Sequence, residues 1–131
     1  MKKTTASEVI SFFESSFADK REIPHELEMV WLKKAIGRYG NELTPLSFDD
    51  EVLEFDTELD AYVIDTLAAI MKETYQERQV SLVNKRISIA SRDISIDGAD
   101  GAKTAEESHL NYVKMKASEM LASLKPPADT Q

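Results

Sequence analysis

Two histidines, His25 and His109, are the only imidazoles in the 131-residue chain. A general base or a metal ligand needs partner groups converging on it. Each histidine instead falls in the first turn of an expected helix, where a partly exposed ring is the ordinary outcome. No HExxH, GxSxG, GxGxxG or GxxxxGK[ST] pattern occurs. Asp93, Ser95, Asp97 and Gly98 fit the first, third, fifth and sixth positions of a calcium-binding EF-hand loop. Thr104 then stands at the twelfth, where a bidentate Glu is required, and the residues before the loop alternate as a strand would, whereas an EF-hand needs an entering helix. A plain turn explains them better. Glu106-Glu107 reads as helix capping, and the other acidic pairs carry little information in an acidic chain. There is no cysteine, which removes disulfides, thiolate zinc and thiol catalysis together and fits a reducing compartment. The expected catalytic residues, metal sites and cofactors are therefore none, and the chain is expected not to be an enzyme.

The charge is informative. The formal net charge is −8, which argues against nucleic-acid binding as the main role, because phosphate contacts need clustered Lys and Arg. Seven acids and no base lie in the twelve residues from Asp49 to Asp60: Asp49, Asp50, Glu51, Glu54, Asp56, Glu58 and Asp60. One reading is a solvated loop feeding a helix N-terminus, whose dipole favours anions. The other is an acidic surface that faces a basic partner or repels passing DNA. Arg78, Lys85, Arg86 and Arg92 gather later in the chain. The resulting polarity suits head-to-tail contact between identical subunits, although scattered surface charge explains it equally well.

Helical periodicity organises the rest. Thr5 and Glu8 have capping-box spacing, followed by Val9, Phe12, Phe13 and Phe17. Pro24 is placed to open a second helix carrying Leu27, Val30, Trp31, Ala35 and Tyr39 on one face, with Met29, Leu32 and Ile36 beside it. Gly40-Asn41 and then Pro45 close it. The following loop holds Leu46, Phe48, Val52, Leu53 and Phe55, so part of it should pack. A third helix, capped by Asp56 or Thr57, is expected from about Glu58 to Asn84. It is apolar nearly all round in its first half and polar in its second, which suggests that it projects beyond its own core towards a neighbouring subunit. From Arg86 to Gly98 the period changes to two, through Ile87, Ile89, Ile94 and Ile96, as in a short hairpin turning near Ala90 to Asp93 or a bulged strand. Thr104 and Glu107 form a second capping box, opening a last helix with Leu110, Val113, Ala117, Leu121 and Leu124 on one face. The fold class expected is mainly α: a small helical bundle around a long central helix, with a short β-hairpin or extended loop before the last helix. Residues 1–125 form one domain and 126–131 a flexible tail. No apolar run approaches the roughly 18 residues of a membrane span, and the N-terminus has no secretory h-region, so a cytoplasmic protein is expected.

Three stretches, in this order, resemble the small head–tail connector (adaptor, or head-completion) proteins of tailed phages and prophages. They are Pro24-His25-Glu26-Leu27-Glu28-Met29-Val30-Trp31-Leu32-Lys33-Lys34-Ala35-Ile36 with Tyr39, Leu59 to Met71 running on through Tyr75, Arg78 and Lys85, and Ser91 to Gly98. The resemblance implies a homo-oligomeric ring of about a dozen subunits. That ring would sit beneath the portal protein, extend the DNA channel and offer a surface to the next connector or tail component. DNA would pass through without specific contact, and the protein would be cytoplasmic during assembly and then part of the virion. By position, the family's portal-docking segment corresponds to Leu121 to Gln131, including Leu124 and Lys125. An acidic lumen would give Asp49, Asp50, Glu51 and Glu54 a role. The long acidic loop and the Ile-rich stretch depart from the simplest members. The alternative expectation is a small acidic helical regulator or inhibitor, monomeric or dimeric, that acts by binding protein.

Overall fold

The computed structural model describes residues 2–16, 23–90 and 99–125, without the side chains of 86–90 and 99–103. In chain order the described elements are α1 (Ala6–Ser15), α2 (His25–Glu42), β1 (Phe48–Asp49), β2 (Glu54–Phe55), α3 (Ala61–Ala90) and α4 (Ala99–Leu124). The architecture is mainly helical, a small bundle around the long α3, as the periodicity predicts.

Local chemistry sets the helix ends. Thr5 caps α1 from an extended backbone, its Oγ1 accepting from the Glu8 N–H at 3.2 Å. The Ser15 and Ser16 hydroxyls donate to the carbonyls of Phe12 and Phe13, both at 2.7 Å, where the helix ends. Pro24 precedes α2, and its carbonyl accepts from the N–H groups of Leu27 and Glu28. The capping residue of α3 is Asp60, whose carbonyl accepts from Val63 and Ile64. This corrects the expected Asp56 or Thr57 cap: residues 56–60 instead anchor the N-terminal segment. Thr4, 1% exposed, donates its N–H to the Thr57 carbonyl at 3.1 Å, and its Oγ1 accepts the Leu59 N–H at 2.8 Å.

The hairpin pairs Phe48 with Phe55 and Asp49 with Glu54, antiparallel. Two strands alone are marginal in water. Here Thr5 bridges to Glu54, and the N–H groups of Ala6 and Phe55 donate to the carbonyls of Leu53 and Thr4 at 2.9 and 2.8 Å. Phe55 is 1% exposed and meets Phe48 edge-on at 4.9 Å. The loop residues predicted to pack thus do so at Leu46, Phe48 and Phe55, whereas Val52 and Leu53 stand out in solvent.

Three predicted details change. The stretch Arg86 to Ala90, expected as a strand, is the last part of α3. Extending a formed helix costs one residue's freedom per new hydrogen bond, whereas a hairpin must nucleate afresh. Residues 91–98 lie outside the described residues. Next, α3 does not outrun its core as expected: Tyr75, Gln76, Gln79 and Val83 are buried because the 26-residue α4 lies antiparallel along it. The Tyr62 hydroxyl meets Ser123 Oγ at 2.6 Å, and Gln76 Nε2 donates to the Glu106 carbonyl at 3.1 Å and to its carboxylate at 2.9 Å. Last, α4 begins at Ala99, so the Thr104–Glu107 capping box lies inside the helix. Its apolar face is as predicted, with Val113, Ala117 and Leu121 buried and Leu124 packed against the core.

The core centres on Phe13, Trp31 and Tyr75, one ring from each of α1, α2 and α3. They meet edge to face with centroids 6.3, 6.4 and 6.2 Å apart. Val9, Leu32, Leu67 and Met71 close around them. On α2 the buried face runs through Glu28, Trp31, Leu32, Ala35 and Tyr39, and Val30, expected on it, is exposed. On α1 Phe13 points inward and Phe12 outward.

Replacing Phe13 with Ala should cost about 3–5 kcal/mol through cavity formation, read in urea by the fluorescence of Trp31, the single tryptophan. Thr4→Val keeps the shape and removes the acceptor for Leu59. We expect a loss of about 1–2 kcal/mol in the same assay, whereas an unchanged midpoint would remove Thr4 from the fastening.

Candidate functional site

Among the described residues, those suited to chemistry do not converge. Among the described residues no group of three His, Asp or Glu side chains could hold a metal ion. The EF-hand-like Asp93 to Gly98 lies outside them. His25 is exposed at the start of α2, and His109 stacks on Tyr112, one turn along α4, at 6.2 Å.

What the fold does assemble is a set of exposed groups on rigid elements. The acids singled out in the sequence share the β1–β2 hairpin: Asp49, Asp50 and Glu51 are exposed and Glu54 half-buried. Asp49 Oδ1 accepts the backbone N–H groups of Glu51 at 2.8 Å and Val52 at 3.4 Å, which holds the turn. Asp50 pairs with Lys33 of α2 at 3.0 Å. At the hairpin base Ser47 Oγ donates to Asp56, and the Asp56 N–H donates to the Ser47 carbonyl at 3.0 Å. Leu53 takes a left-handed φ of 55°, a conformation that suits Gly or Asn and strains a bulky side chain.

The basic residues divide. Arg78 and Lys85 are exposed on α3, seven residues and hence about two turns apart on one side. The Arg86 side chain and Arg92 are outside the described residues. From Ala61, at the start of α3, to Lys85 is about 36 Å along the helix, and Arg78 stands near the middle of it. The basic end also carries Glu77, and Glu106 through its bond to Gln76, so its field is mixed. Of the C-terminal residues, Leu121 is 1% exposed and belongs to the core, which removes it from any free contact surface. Leu124 is half-buried, and Lys125 reaches Glu42 at 4.0 Å.

That glutamate belongs to a charged lock between helices. Arg38 donates from Nε to Glu42 at 2.9 Å and from Nη1 to Glu73 of α3 at 3.0 Å. Burial works to lower the Arg38 pKa, and the hydrogen bonds and charges of the two glutamates outweigh it, so the guanidinium is held above its ordinary value. Close by in sequence, Tyr39 is buried, and burial, with the charge of Asp60 adding, raises its phenol above the usual value.

A groove of ≈180 Å³ lies between α1, α3 and α4. Phe12, Ala68, Ala69, Tyr112 and Met120 line it, together with Asp65, Lys72 and Lys116. Periodicity alone did not mark it. The available signals were Phe12 beside Phe13, two rings that cannot both face one core, and the Tyr112–Lys116–Met120 spacing along α4, a stripe beside the predicted apolar face. Among the described residues, the other large apolar groups left in solvent are Val30, Val52, Leu53, Tyr62 and Met115. No helix among the described residues is long and apolar enough to cross a membrane.

No family model matches the chain, and no curated protein or solved structure matches it significantly.

The raised Tyr39 pKa makes an alkaline prediction. A phenol that holds its proton more tightly when folded contributes stability that is full below its unfolded pKa, about 10. That contribution is lost as pH rises through the higher folded value. The melting temperature should therefore fall steeply above pH 10, and Tyr39→Phe should flatten that fall. Identical alkaline profiles for the two proteins would remove Tyr39 as the cause.

Proposed function

We propose that this chain is a structural subunit of a phage or prophage head–tail connector. Copies form a ring that binds the portal protein on one side and the next connector or tail component on the other. The ring lines the DNA channel without specific contacts to DNA. The protein acts in the cytoplasm during assembly and then in the virion, and it carries out no catalysis.

The observation that carries this reading is the rigid acidic hairpin at one end of a helical bundle, with Asp49, Asp50 and Glu51 exposed and no base between Asp49 and Asp60. An anionic wall repels the phosphate backbone and lets a duplex slide. The sequence resemblance to connector proteins supplies the setting. The exposed apolar groups on α1, α2 and α4, namely Phe12, Val30, Tyr112 and Met115, supply surface for protein contacts. Of the described residues of the C-terminal docking segment, Ala122, Ser123 and Lys125 are exposed and Leu124 is half-buried.

The test is to mix the full chain with purified portal rings and measure the mass of the complex by light scattering after gel filtration. A complex of fixed stoichiometry, with many copies per portal ring, is the expected result. A strict monomer that fails to bind portal rings but binds a nuclease or repressor would overturn the reading in favour of an acidic regulator.

A further inference from the structure

The segment from Thr44 to Leu59 is fastened to the rest of the molecule by polar bonds at one place. Among the described residues its hydrogen bonds outside itself run to Thr4 and Ala6. The Thr4 N–H donates to the Thr57 carbonyl at 3.1 Å, and the Thr4 carbonyl accepts the Phe55 N–H at 2.8 Å. Thr4 Oγ1 accepts the Leu59 N–H at 2.8 Å, and the Ala6 N–H donates to the Leu53 carbonyl at 2.9 Å. The other polar tie among the described residues is the ion pair of Asp50 with Lys33 at 3.0 Å. Both of its side chains are more than half exposed, so it holds weakly in water. The apolar anchor of the segment is Phe55, 1% exposed, with Leu46 and Phe48 packed beside it against the core.

Neither side of this fastening keeps its shape without the other. Two strands of two residues each do not stand alone in water, and every hydrogen bond of Thr4 goes to the hairpin segment. Leu53 adds strain, because its φ of 55° is a left-handed conformation that it can leave once the Ala6 bond is broken. Thr44 and Pro45 before the hairpin and Glu58 after it are exposed, so the chain can pivot there without disturbing a packed helix. The helices are joined independently, through Phe13, Trp31 and Tyr75 and through the Gln76–Glu106 bonds between α3 and α4.

We propose that the N-terminal arm (residues 2–5) and the hairpin segment (residues 44–59) form one strap, which opens and closes as a unit while the four helices stay assembled. Closed, the arm holds Asp49, Asp50 and Glu51 on a rigid turn. Open, Phe55 leaves its seat, Leu53 relaxes, and the acids ride on a free loop. Opening of this kind belongs to elements with few buried contacts and solvent-exposed backbone bonds. The coupling is reciprocal: withdrawing the arm frees the acidic turn, and holding the turn shut keeps the arm in place. The arm thus controls whether the acidic end is a fixed surface. This device belongs to the chain alone and stands with or without the connector reading.

Amide hydrogen exchange of the full chain, followed by NMR in heavy water, tests it. After division by the rates of an unstructured chain, the N–H groups of Ala6, Phe55, Asp56 and Leu59 should share one opening constant. It should exceed those of Leu67, Met71 and Val113, buried on α3 and α4, by about tenfold or more. Two single variants then probe the two ends of the strap. Thr4→Val removes the acceptor for Leu59, and Asp49→Ala removes the acceptor for the Glu51 and Val52 N–H groups. Each variant should raise the constant at all four amides by one common factor, about five- to thirty-fold for Thr4→Val. Four unequal constants, a variant whose effect stops at its own end, or opening no easier than that of the helices would overturn the proposal.

Discussion

Phe13, Trp31 and Tyr75 come from three different helices and meet at one point of the core. Each ring presents an edge to a neighbour's face, an arrangement the aromatic quadrupole favours by about 0.5–1.5 kcal/mol per pair beyond the area buried. The three contacts fix the positions of α1 and α2 on α3, and everything else is hung from that junction. With α1 in place, Thr4 and Thr5 can reach residues 53–59, and those bonds turn a marginal hairpin into a fixed one. With α2 in place, Lys33 stands beside Asp50 and Arg38 beside Glu73. The surface features that invite a functional reading are thus consequences of a core made by aromatic packing.

The α3–α4 pair contributes the second constraint, and it changes how α3 must be understood. A helix with a polar second half suggests a missing neighbour, and the neighbour is supplied within the chain. Gln76 is buried at 3% exposure, a costly placement for an amide unless its donors are used. Glu106 uses them, with its carbonyl and its carboxylate together. Ala117, wholly buried, leaves the backbones free to approach. The polar second half of α3 is therefore an ordinary helix–helix interface with a specific polar pair. The groups that stay exposed after α4 is in place are the ones an assembly could use.

Much of this was legible in the residues, and the misses have physical causes. The Thr5 cap of α1 and the face of α4 through Val113, Ala117 and Leu121 follow from spacing alone. The phase of α2 did not, because burial of Glu28 at 3% exposure shifts the inward face by part of a turn, and a charged residue reads as solvent-facing. Ile87 and Ile89 looked like a strand because β-branched residues favour one, but a propensity of that size yields to a helix already formed upstream. The hairpin at residues 48–55 was hidden for the opposite reason. Its alternation is two residues per strand, and its stability comes from Thr4–Ala6, more than forty residues earlier in the chain. The groove was least legible of all, since it exists only where α1 leaves α3 and α4 partly uncovered.

The acids of the hairpin segment divide by what they bond to. Asp60 supplies the first carbonyl of α3 and Asp56 closes the hairpin base, so part of the cluster does local structural work. Asp49 spends one oxygen on the turn, and Asp50 is tied to Lys33. Glu51 has no structural duty of that kind, and it sits beside two apolar side chains that the fold does not bury. Exposed ion pairs are worth about 0–1 kcal/mol each, so the charges here cannot be explained as stabilisers of the domain. Their net effect on the monomer is self-repulsion at one end.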